Sequence, residues 1–361
     1  MPGQQIEDLT SFVAKMGGDR ALKVEENLGQ GFVRLRVGEA ERRQAAHDIR
    51  CSEDIVIEML RNARDAQASH IFLATSKDGS TRTITMLDDG AGVPKELWES
   101  SVDARVTSKL ETVHMDRWGV HGRGMALYSI KENVTECAVA DSVMGGGTAI
   151  RVVSDTNRLG ERSDQSTWPS AGRDDNGRLV IERGPHNILR TCCEFSLEER
   201  GVCEVFVGSP AEIVATMRAR IHPSISSNEL LFLDDLSALA VCERFRVASD
   251  ARELMEVSMA CGLEISERTA HRIIAGQIKP MRSVLARLTH TSSHKGKREV
   301  DLGTDRRGLR LSKEDSQEFL RMMERDFAYL ADRYYLNLTS QPRIRVAGNR
   351  LSVYFEYEGE D

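Results

Sequence analysis

The chain has 361 residues, which is long for one domain and favours two or three. Its composition, 40% hydrophobic and 29% charged, is that of an ordinary soluble globular protein. The net charge of −7 argues against a wholly basic nucleic-acid-binding protein, although Ala251 to Arg310 has 12 Lys and Arg against 7 Asp and Glu. That segment either meets a local anionic partner or is a solvated surface of mixed charge.

No apolar run approaches the roughly 18 residues that a membrane span needs, and the N-terminus lacks a basic segment followed by an apolar core. We therefore expect a cytoplasmic protein without membrane contact. The seven Cys include no C-x-x-C pair and the nine His no H-E-x-x-H motif, so neither a disulfide framework nor a metal motif is indicated. We expect the cysteines to be small, mostly buried apolar residues.

The first 50 residues predict an irregular or partly helical lead, in which GEAERRQAAHDIR is periodic enough for a helix. The next helix is predicted from about Glu53 to Gln67, with Ser52 as its N-cap. On this helix Glu58, Asn62 and Asp65 lie at i, i+4 and i+7 and share one face. A polar stripe of this kind is either exposed to solvent or part of a binding site.

The middle of the chain alternates strands and helices. HIFLATS and TRTITML predict two strands joined by a turn with an Asp-Gly pair. The polar segment 155–177 predicts an exposed excursion. In chain order, the other predicted elements are helices at 94–101 and 125–133, strands at 136–141 and in GGGTAIRVVS and CEVFVG, and a helix in AEIVATMRARI. This pattern favours an α+β sandwich, with helices on one face of a mixed sheet.

After residue 222 the pattern becomes mainly helical, and RIRVAGNRLSVYFEY predicts a hairpin that closes the chain. The sequence therefore predicts a first domain at 1–222 and a second, mainly helical module at 223–361.

Two glycine clusters carry the first indication of a ligand. DDGAG, residues 88–92, follows a predicted strand, and its glycines let the backbone approach a ligand where side chains would collide. WGVHGRGMALYSI spaces three glycines directly before an apolar helix, where free backbone N–H groups bind phosphate oxygens. It is not a dinucleotide-binding fingerprint, because it follows a loop, and it lacks the G-x-x-x-x-G-K-S/T of a Walker loop.

Four elements follow one another along the chain, namely the Glu/Asn/Asp helix, the two glycine clusters and GGGT at 145–148. In this order the sequence resembles the GHKL superfamily of gyrase, heat-shock chaperone, histidine-kinase and MutL ATPases. The resemblance covers residues 53–148 and thins out toward residue 222. It implies a Bergerat-type α/β sandwich, ATP as the ligand and Mg²⁺ as the cofactor.

The resemblance also implies roles for individual residues. Glu58 matches the acidic residue that polarises the attacking water, Asn62 the Mg²⁺ ligand, and Asp65 a residue that holds the pocket. Asp88 matches the residue that hydrogen-bonds the adenine amine, and Thr148 completes its network. The other predicted nucleotide-binding residues are Gly90, Gly92, Val93, Lys109, Gly119, Val120, His121, Gly122, Arg123, Gly124 and Met125.

The segment between the glycine clusters looks most like the lid of MutL, because it contains Thr107-Ser108-Lys109 and continues into Ala-Leu-Tyr-Ser-Ile. Lys109 would then reach the terminal phosphates as a point charge. His121 is expected to contribute its backbone, whereas Arg123 is either a phosphate contact or a surface charge. The glycine box GVHGRG itself is closer to the gyrase form. A histidine kinase is disfavoured, because Glu58 is present and His47 is an unconvincing phosphoacceptor.

The segment from Gly262 to Leu288 resembles the helix-turn-helix of phage-repressor-type regulators, within a region near 252–288. Ser266 is a good N-cap, Gly276 a good C′ residue and Pro280 a sensible start for the following helix. The residues expected to face DNA are Arg268, Thr269, His271 and Arg272. The alternative is an ordinary packing unit of helices, and HKGKR at 294–298 is a phosphate contact, a trans-domain lysine source or a solvated loop.

The sequence thus predicts an ATP-binding protein, an Mg²⁺-dependent ATPase whose nucleotide state gates a module that binds double-stranded DNA or protein. An ATP-dependent homodimer is a further expectation. The alternatives are a non-catalytic nucleotide-gated regulator or chaperone-like adaptor and, third, a phosphotransferase of the histidine-kinase type.

Overall fold

The computed structural model describes residues 24–29, 32–35, 38–103, 106–107, 114–116, 119–121, 125–174, 177–225, 235–292, 313–334, 336–347 and 350–359. The chain divides into two compact units, residues 1–294 and 295–361.

The strands of the first unit are β1 (Val24–Gly29), β2 (Phe32–Leu35), β3 (His70–Asp78), β4 (Thr81–Asp88), β5 (Val106–Thr107), β6 (His114–Asp116), β7 (Gly119–His121), β8 (Glu136–Ser142), β9 (Thr148–Asp155), β10 (Ser170–Arg173), β11 (Leu179–Arg183) and β12 (Glu204–Gly208). Its helices are α1 (Glu39–Asp48), α2 (Ser52–Asp65), α3 (Ala126–Asn133), α4 (Ile188–Glu198), α5 (Pro210–Arg220), α6 (Arg244–Val247), α7 (Ala251–Ala260), α8 (Glu267–Ile274) and α9 (Val284–Ser292). Short 3-10 turns at 95–97 and 100–102 replace the predicted helix at 94–101.

A five-stranded mixed sheet in the order β12-β3-β4-β9-β8 forms the centre of the first unit. Strand β12 pairs with β3 in parallel, and the other pairs are antiparallel. A two-residue loop joins β3 to β4, as the sequence predicted. The predicted α/β sandwich with a mixed sheet is therefore confirmed, whereas the β1–β2 hairpin within the N-terminal lead was not predicted.

One face of the sheet is covered by α2, α3, α4 and α9. Alternate strand residues such as Ile71, Leu73, Ile84 and Met86 point to this face, because successive side chains of a strand point to opposite sides. The segment 155–177 also packs here, since Leu159 and Ala171 are buried and Trp168 stacks under the Arg287 guanidinium, 3.9 Å from its ring centroid. The prediction of an exposed excursion was therefore only partly right.

The opposite face carries a second layer of helices, α5 to α8, over the intervening strand residues. The prediction that helices cover only one face of the sheet was therefore wrong, because apolar residues of the strands point to both faces. Phe72 and Phe206 are fully buried there and stack with their ring centroids 5.1 Å apart. Because residues 235–278 complete this layer, they belong to the same compact unit as the sheet, which continues to residue 294. The structure thus places the boundary between units later than the predicted residue 222.

Helix α2 begins one residue earlier than its sequence suggested. Its N-cap is Cys51, whose side chain accepts no capping hydrogen bond, and Ser52 lies inside the helix with its Oγ buried and unbonded within the described part of the chain. At the other end Gln67 adopts φ 60°, a left-handed conformation, and the Ala68 amide donates to the Ala63 carbonyl at 3.1 Å. This ending turns the chain sharply toward β3.

The region that resembles a helix-turn-helix forms α7, a turn and α8. Ser266 caps α8 by accepting a hydrogen bond from the Thr269 amide, and Gly276 has φ +68° beyond its end. The sequence predicted that Pro280 starts the next helix. This prediction was wrong, because α9 begins at Val284. Helix α9 packs in the core of the first face, together with α4 and β12, rather than with α7 and α8.

The second unit contains the long helix α10 (Lys313–Tyr334) and the strands β13 (Leu336–Leu338), β14 (Arg343–Ala347), β15 (Arg350–Tyr354) and β16 (Tyr357–Gly359). Strand β14 pairs with β15, and β13 with β16, both antiparallel, in the segment whose sequence predicted a hairpin. Phe327 of α10 stacks on Phe355 with ring centroids 4.6 Å apart.

All seven cysteines are free thiols, and five of them are buried. Burial raises the pKa of Cys261 and of Cys137 to about 12, so these thiols stay protonated at neutral pH. The prediction that cysteines act as apolar residues agrees with this burial. Among the residues with a described structure, no helix is both long and apolar enough to cross a membrane.

Candidate nucleotide-binding site

The polar face of α2 is half-buried rather than solvated. Glu58 is 19% exposed in its side chain, and its Oε1 accepts a hydrogen bond from the buried Arg61 at 2.7 Å. Asp65 accepts from Arg64 at 2.9 Å, and Arg64 also reaches Glu199 at 2.7 Å, at the end of α4. Asn62 is also only partly exposed. The three predicted polar residues therefore line an interior surface, not a solvent face.

Three backbone segments are joined by hydrogen bonds. They are the C-terminal end of α2, the loop 88–93 after β4, and the turn 143–147 between β8 and β9. The Ala91 amide donates to the Ala66 carbonyl at 2.9 Å, the Gly145 amide to the Ala91 carbonyl at 2.7 Å, and the Gly147 amide to the Gly90 carbonyl at 3.0 Å. The motif DDGAG and the motif GGGT, whose first residues are 57 positions apart in the sequence, thus form one continuous wall.

The glycines of this wall are required by the protein's own packing. Gly92 has φ +72°, and a Cβ atom there would lie 1.9 Å from the Val143 carbonyl oxygen. Gly147 has φ +90°, and its Cβ would lie 2.0 Å from the Asp88 carbonyl oxygen. The sequence predicted glycine here for close approach to a ligand, whereas the structure shows close approach between loops.

A row of polar side chains crosses three neighbouring strands above this wall. Asp88 of β4 pairs with Thr148 of β9, which in turn pairs with Ser142 of β8. Strand alternation places these side chains on the same face as Met86 and Ile150, which is the face that α2 covers. The Ser142 and Thr148 hydroxyl oxygens are 3.1 Å apart. The row therefore lies on the sheet face that α2 covers.

Asp88 is only 5% exposed, and its Oδ1 accepts a hydrogen bond from the Gly90 amide at 2.9 Å. Ser142 accepts from the Val93 amide at 2.7 Å and donates to the Gly147 carbonyl at 2.9 Å. Ser142 was not among the predicted site residues. The sequence contained a signal for Ser142, because pairing of the two strands across the glycine turn places Ser142 directly opposite Thr148.

Part of the predicted site lies outside the described residues, namely Lys109, Gly122, Arg123 and Gly124, together with Ser108 and the basic segment 294–298. Gly119, Val120 and His121 form β7, which pairs with β6. Met125 is the residue before α3, so the predicted glycine box does lead directly into a helix.

Asp89, the second residue of DDGAG, is held by His70 at the start of β3. Its Oδ2 lies 2.7 Å from Nδ1 of His70, and its Oδ1 accepts from the amides of Ser69 and His70. This hydrogen bond with Asp89 raises the pKa of His70. Burial opposes ionisation of Asp89, but hydrogen bonds from the His70 side chain and from both amides outweigh it and lower its pKa.

These shifts predict a pH-dependent stabilisation of the loop. The contribution of protonated His70 to the free energy of unfolding is fully present below about pH 6.5. It is lost as the pH rises through the raised pKa of His70 in the folded protein. The contribution of Asp89 is present above about pH 4 and is lost as the pH falls further. We expect the free energy of unfolding lost in Asp89→Asn to be larger at pH 6 than at pH 9, measured by urea denaturation.

An NMR titration of His70 provides the control. Its pKa should lie above about 6.5 in the wild type and move toward that value in Asp89→Asn. A wild-type His70 that titrates below this value would contradict the ion pair.

The predicted DNA-facing residues are displayed on α8. Arg268, His271 and Arg272 are exposed, whereas Ala270 and Ile273 point into the core. Thr269 is partly buried, and its hydroxyl oxygen lies 2.9 Å from that of Ser266. Thr269 is therefore part of the N-cap of α8. The exposed side chains surround a shallow depression of about 490 Å³, lined by Glu267, Arg268, His271, Arg272, Ala275 and Gln277.

The residues present suit a nucleotide with its metal. Among the described residues, no group of three His, Cys, Asp or Glu side chains is arranged to hold a metal ion. The amide oxygen of Asn62 is a suitable ligand for Mg²⁺, an ion that takes most of its oxygen ligands from phosphates and water. Asp88 offers the acceptor that an adenine amine requires.

Residues 49–157 match the family described as histidine kinase-, DNA gyrase B- and HSP90-like ATPase. The matched range contains α2, the loop 88–93 and the turn 143–147. Residues 49–157 are therefore similar to the ATP-binding domain of the GHKL superfamily of ATPases.

Two curated relatives are DNA mismatch repair proteins MutL. That of Leptospira biflexa is 33% identical over 117 residues, which are 32% of this chain and 19% of the relative. That of Aquifex pyrophilus is 36% identical over 104 residues, 27% of this chain and 24% of the relative. The chain thus spans about a fifth to a quarter of the length of these relatives.

Among solved structures, the mycobacterial sensor histidine kinase MprB is 19% identical and the match covers 34% of this chain and 75% of that protein, with a TM-score of 0.22. A TM-score this low carries no conclusion about shared architecture.

Proposed function

We propose that the chain is an Mg²⁺-dependent ATPase whose nucleotide state controls a DNA-binding surface on α8. The observation that carries the ATP site is the row Asp88, Thr148 and Ser142, which lies on the sheet face that α2 covers. Asp88 would accept from the adenine amine, and the two hydroxyls would complete that network.

The polar face of α2 would serve the phosphate end. Asn62 would hold Mg²⁺ against the phosphates, and the ion would neutralise charge that develops on them. Glu58 would orient and polarise the attacking water, and Asp65 would brace the pocket through Arg64 and Glu199. Residues 119–125 would supply backbone N–H groups to the phosphates at the start of α3.

A non-catalytic, nucleotide-gated regulator is the second candidate, and one specific observation favours it. One carboxylate oxygen of Glu58 is engaged by Arg61, so a water molecule has to share the carboxylate with this guanidinium. A chaperone-like adaptor would fit the same observation, whereas a histidine-kinase-type phosphotransferase would have to use a phosphoacceptor such as His47, which is exposed on α1.

The DNA-binding part of the proposal is supported by the exposed cations of α8. Arg268 and Arg272 lie one turn apart on the solvent side of a helix whose opposite side is anchored in the core. Side chains in this arrangement reach a nucleic acid backbone or base edges without disturbing the fold. Closure of two chains around ATP would produce the expected homodimer.

The test is an ATP turnover assay of the full chain with Mg²⁺, with and without double-stranded DNA at fixed ionic strength. We expect turnover that requires Mg²⁺ and changes when DNA is added, because nucleotide state and DNA contact are coupled. The double variant Arg268→Gln/Arg272→Gln should bind DNA more weakly and keep its basal turnover.

Three other outcomes each separate one part of the proposal. ATP binding without turnover would favour the non-catalytic regulator, and turnover without any response to DNA would remove DNA as the partner. Transfer of label from ATP to the chain would instead indicate a phosphotransferase. Size-exclusion chromatography with a non-hydrolysable ATP analogue tests the dimer.

A further inference from the structure

The second layer of helices contacts the nucleotide site from behind. The amide of Val241, which precedes α6, donates to the Gly146 carbonyl at 2.8 Å. A Cβ atom on Gly146 would lie 3.0 Å from the Cα of Ala240, so the two backbones are in direct contact. The segment 239–244 therefore supports the back of the turn 143–147.

The same segment reaches the end of β4. The Sγ of Cys242 lies 3.7 Å from the carbonyl oxygen of Asp88, the residue whose side chain begins the polar row on the other face. Cys242 is 2% exposed, and burial raises the pKa of its thiol well above its ordinary value. It thus contacts the Asp88 backbone as a neutral thiol.

Arg244 anchors this segment. It is 4% exposed, and its guanidinium donates to Oδ2 of Asp141, to the Leu239 carbonyl at 3.1 Å and to the Ser237 carbonyl at 2.9 Å. A buried Arg with one carboxylate and two carbonyl partners holds both sides of a contact at once. Here one side is strand β8 and the other is the chain that leads into α6.

An irregularity in β8 directs Asp141 toward Arg244. The register of β8 against β9 shifts between Val139 and Asp141, which leaves Ala140 as the extra residue of a bulge. Val139 packs on the first face, whereas Ala140 packs on the second, and Asp141 also meets the second layer there. The next residue, Ser142, then returns to the first face and joins the polar row.

We infer that Arg244 is a positioning residue for the nucleotide site, acting through Asp141 and the segment 239–242 on the backbone that carries Asp88, Thr148 and Ser142. This inference rests on the proposed ATP site. Because the contact between the segment 239–242 and the site lies at the proposed adenine end, it affects the affinity for the nucleotide. It does not affect the activation of water by Glu58. It also joins the layer that bears α8 directly to the nucleotide site.

The test compares Arg244→Lys, Arg244→Gln and Asp141→Asn with the control Glu161→Gln in the full chain. Glu161 forms a similarly buried ion pair with Arg82, both side chains being 7% exposed, at the opposite end of β4 from Asp88. We expect Arg244→Gln to raise Kd and KM for ATP about tenfold and to leave kcat within about twofold. Arg244→Lys should lose less, because it keeps a charge for Asp141.

A second readout does not depend on ATP. Amide hydrogen exchange without nucleotide should become faster in residues 141–148 of Arg244→Lys and stay unchanged there in Glu161→Gln. A rise in KM of equal size in the control, or a fall in kcat with KM unchanged, would overturn the inference.

The two proposals fail differently. A wild-type chain that binds no ATP refutes the proposed function, and hydrogen exchange then still decides whether Arg244 holds the turn. Normal exchange and normal ATP affinity in Arg244→Lys and Asp141→Asn would refute the positioning role while leaving the ATPase intact.

Discussion

Replacing Glu58 with Gln lowers kcat for ATP hydrolysis by about 10²- to 10⁴-fold, which is the usual contribution of a general base. Gln keeps an oxygen that can accept from Arg61, so the contact at 2.7 Å in the wild type and the packing of α2 are preserved. The amide, however, does not take a proton from water. The Kd for ATP should therefore change by no more than about twofold.

Asp65→Asn on the same helix face is the matched control. Asp65 is engaged by Arg64, which is also held by Glu199, so its change should weaken the pocket and raise KM more than it lowers kcat. Both variants are measured by steady-state turnover and by calorimetric ATP binding. If Glu58→Gln turns over ATP at the wild-type rate, Glu58 is not the general base.

Replacing Asp88 with Asn raises Kd for ATP by about 10- to 100-fold, because a buried charged acceptor for the adenine amine becomes an amide. The Asn oxygen can still accept from the Gly90 amide, which Oδ1 of Asp88 does at 2.9 Å, so the loop is expected to stay folded. In the proposed site, only the oxygen that would face the base is exchanged for a donor.

Base discrimination makes this prediction sharper. Adenine presents an amine where guanine presents a carbonyl oxygen, so the Asn donor should shift the ratio of affinities toward GTP. Asp89→Asn is the neighbouring control, because Asp89 bonds His70 and two amides and does not belong to the polar row. Equal losses in the two variants would show that loop stability, not base recognition, is being measured.

Much of the fold was predictable because local patterns there agree with tertiary packing. The segments HIFLATS and TRTITML and the Asp-Gly pair between them predicted β3, β4 and the turn that joins them, and apolar residues of both strands are buried in the sandwich. The spacing of Glu58, Asn62 and Asp65 correctly placed them together on α2. The resemblance to the GHKL superfamily followed from the order of short motifs, and the family match at residues 49–157 agrees with it.

The boundary between the units was not predictable in the same way. Helical periodicity after residue 222 shows an apolar face but not what that face covers. The structure shows that α7 and α8 pack on the same sheet that forms the nucleotide site, with Thr85 donating to the Gly262 carbonyl at 2.8 Å. Contacts between residues 177 positions apart leave no local signature.

The sequence by itself determined α2, α3 and the strands β3, β4, β8 and β9, together with the glycine positions and the residue types that match an ATP site, because periodicity and motif spacing act over short distances. Only the tertiary structure decided that Ser142 joins Asp88 and Thr148 in one row. It alone also decided that Arg244 braces this row from the opposite face. The physical reason is that strand pairing and layer packing bring together residues whose positions along the chain are independent of one another.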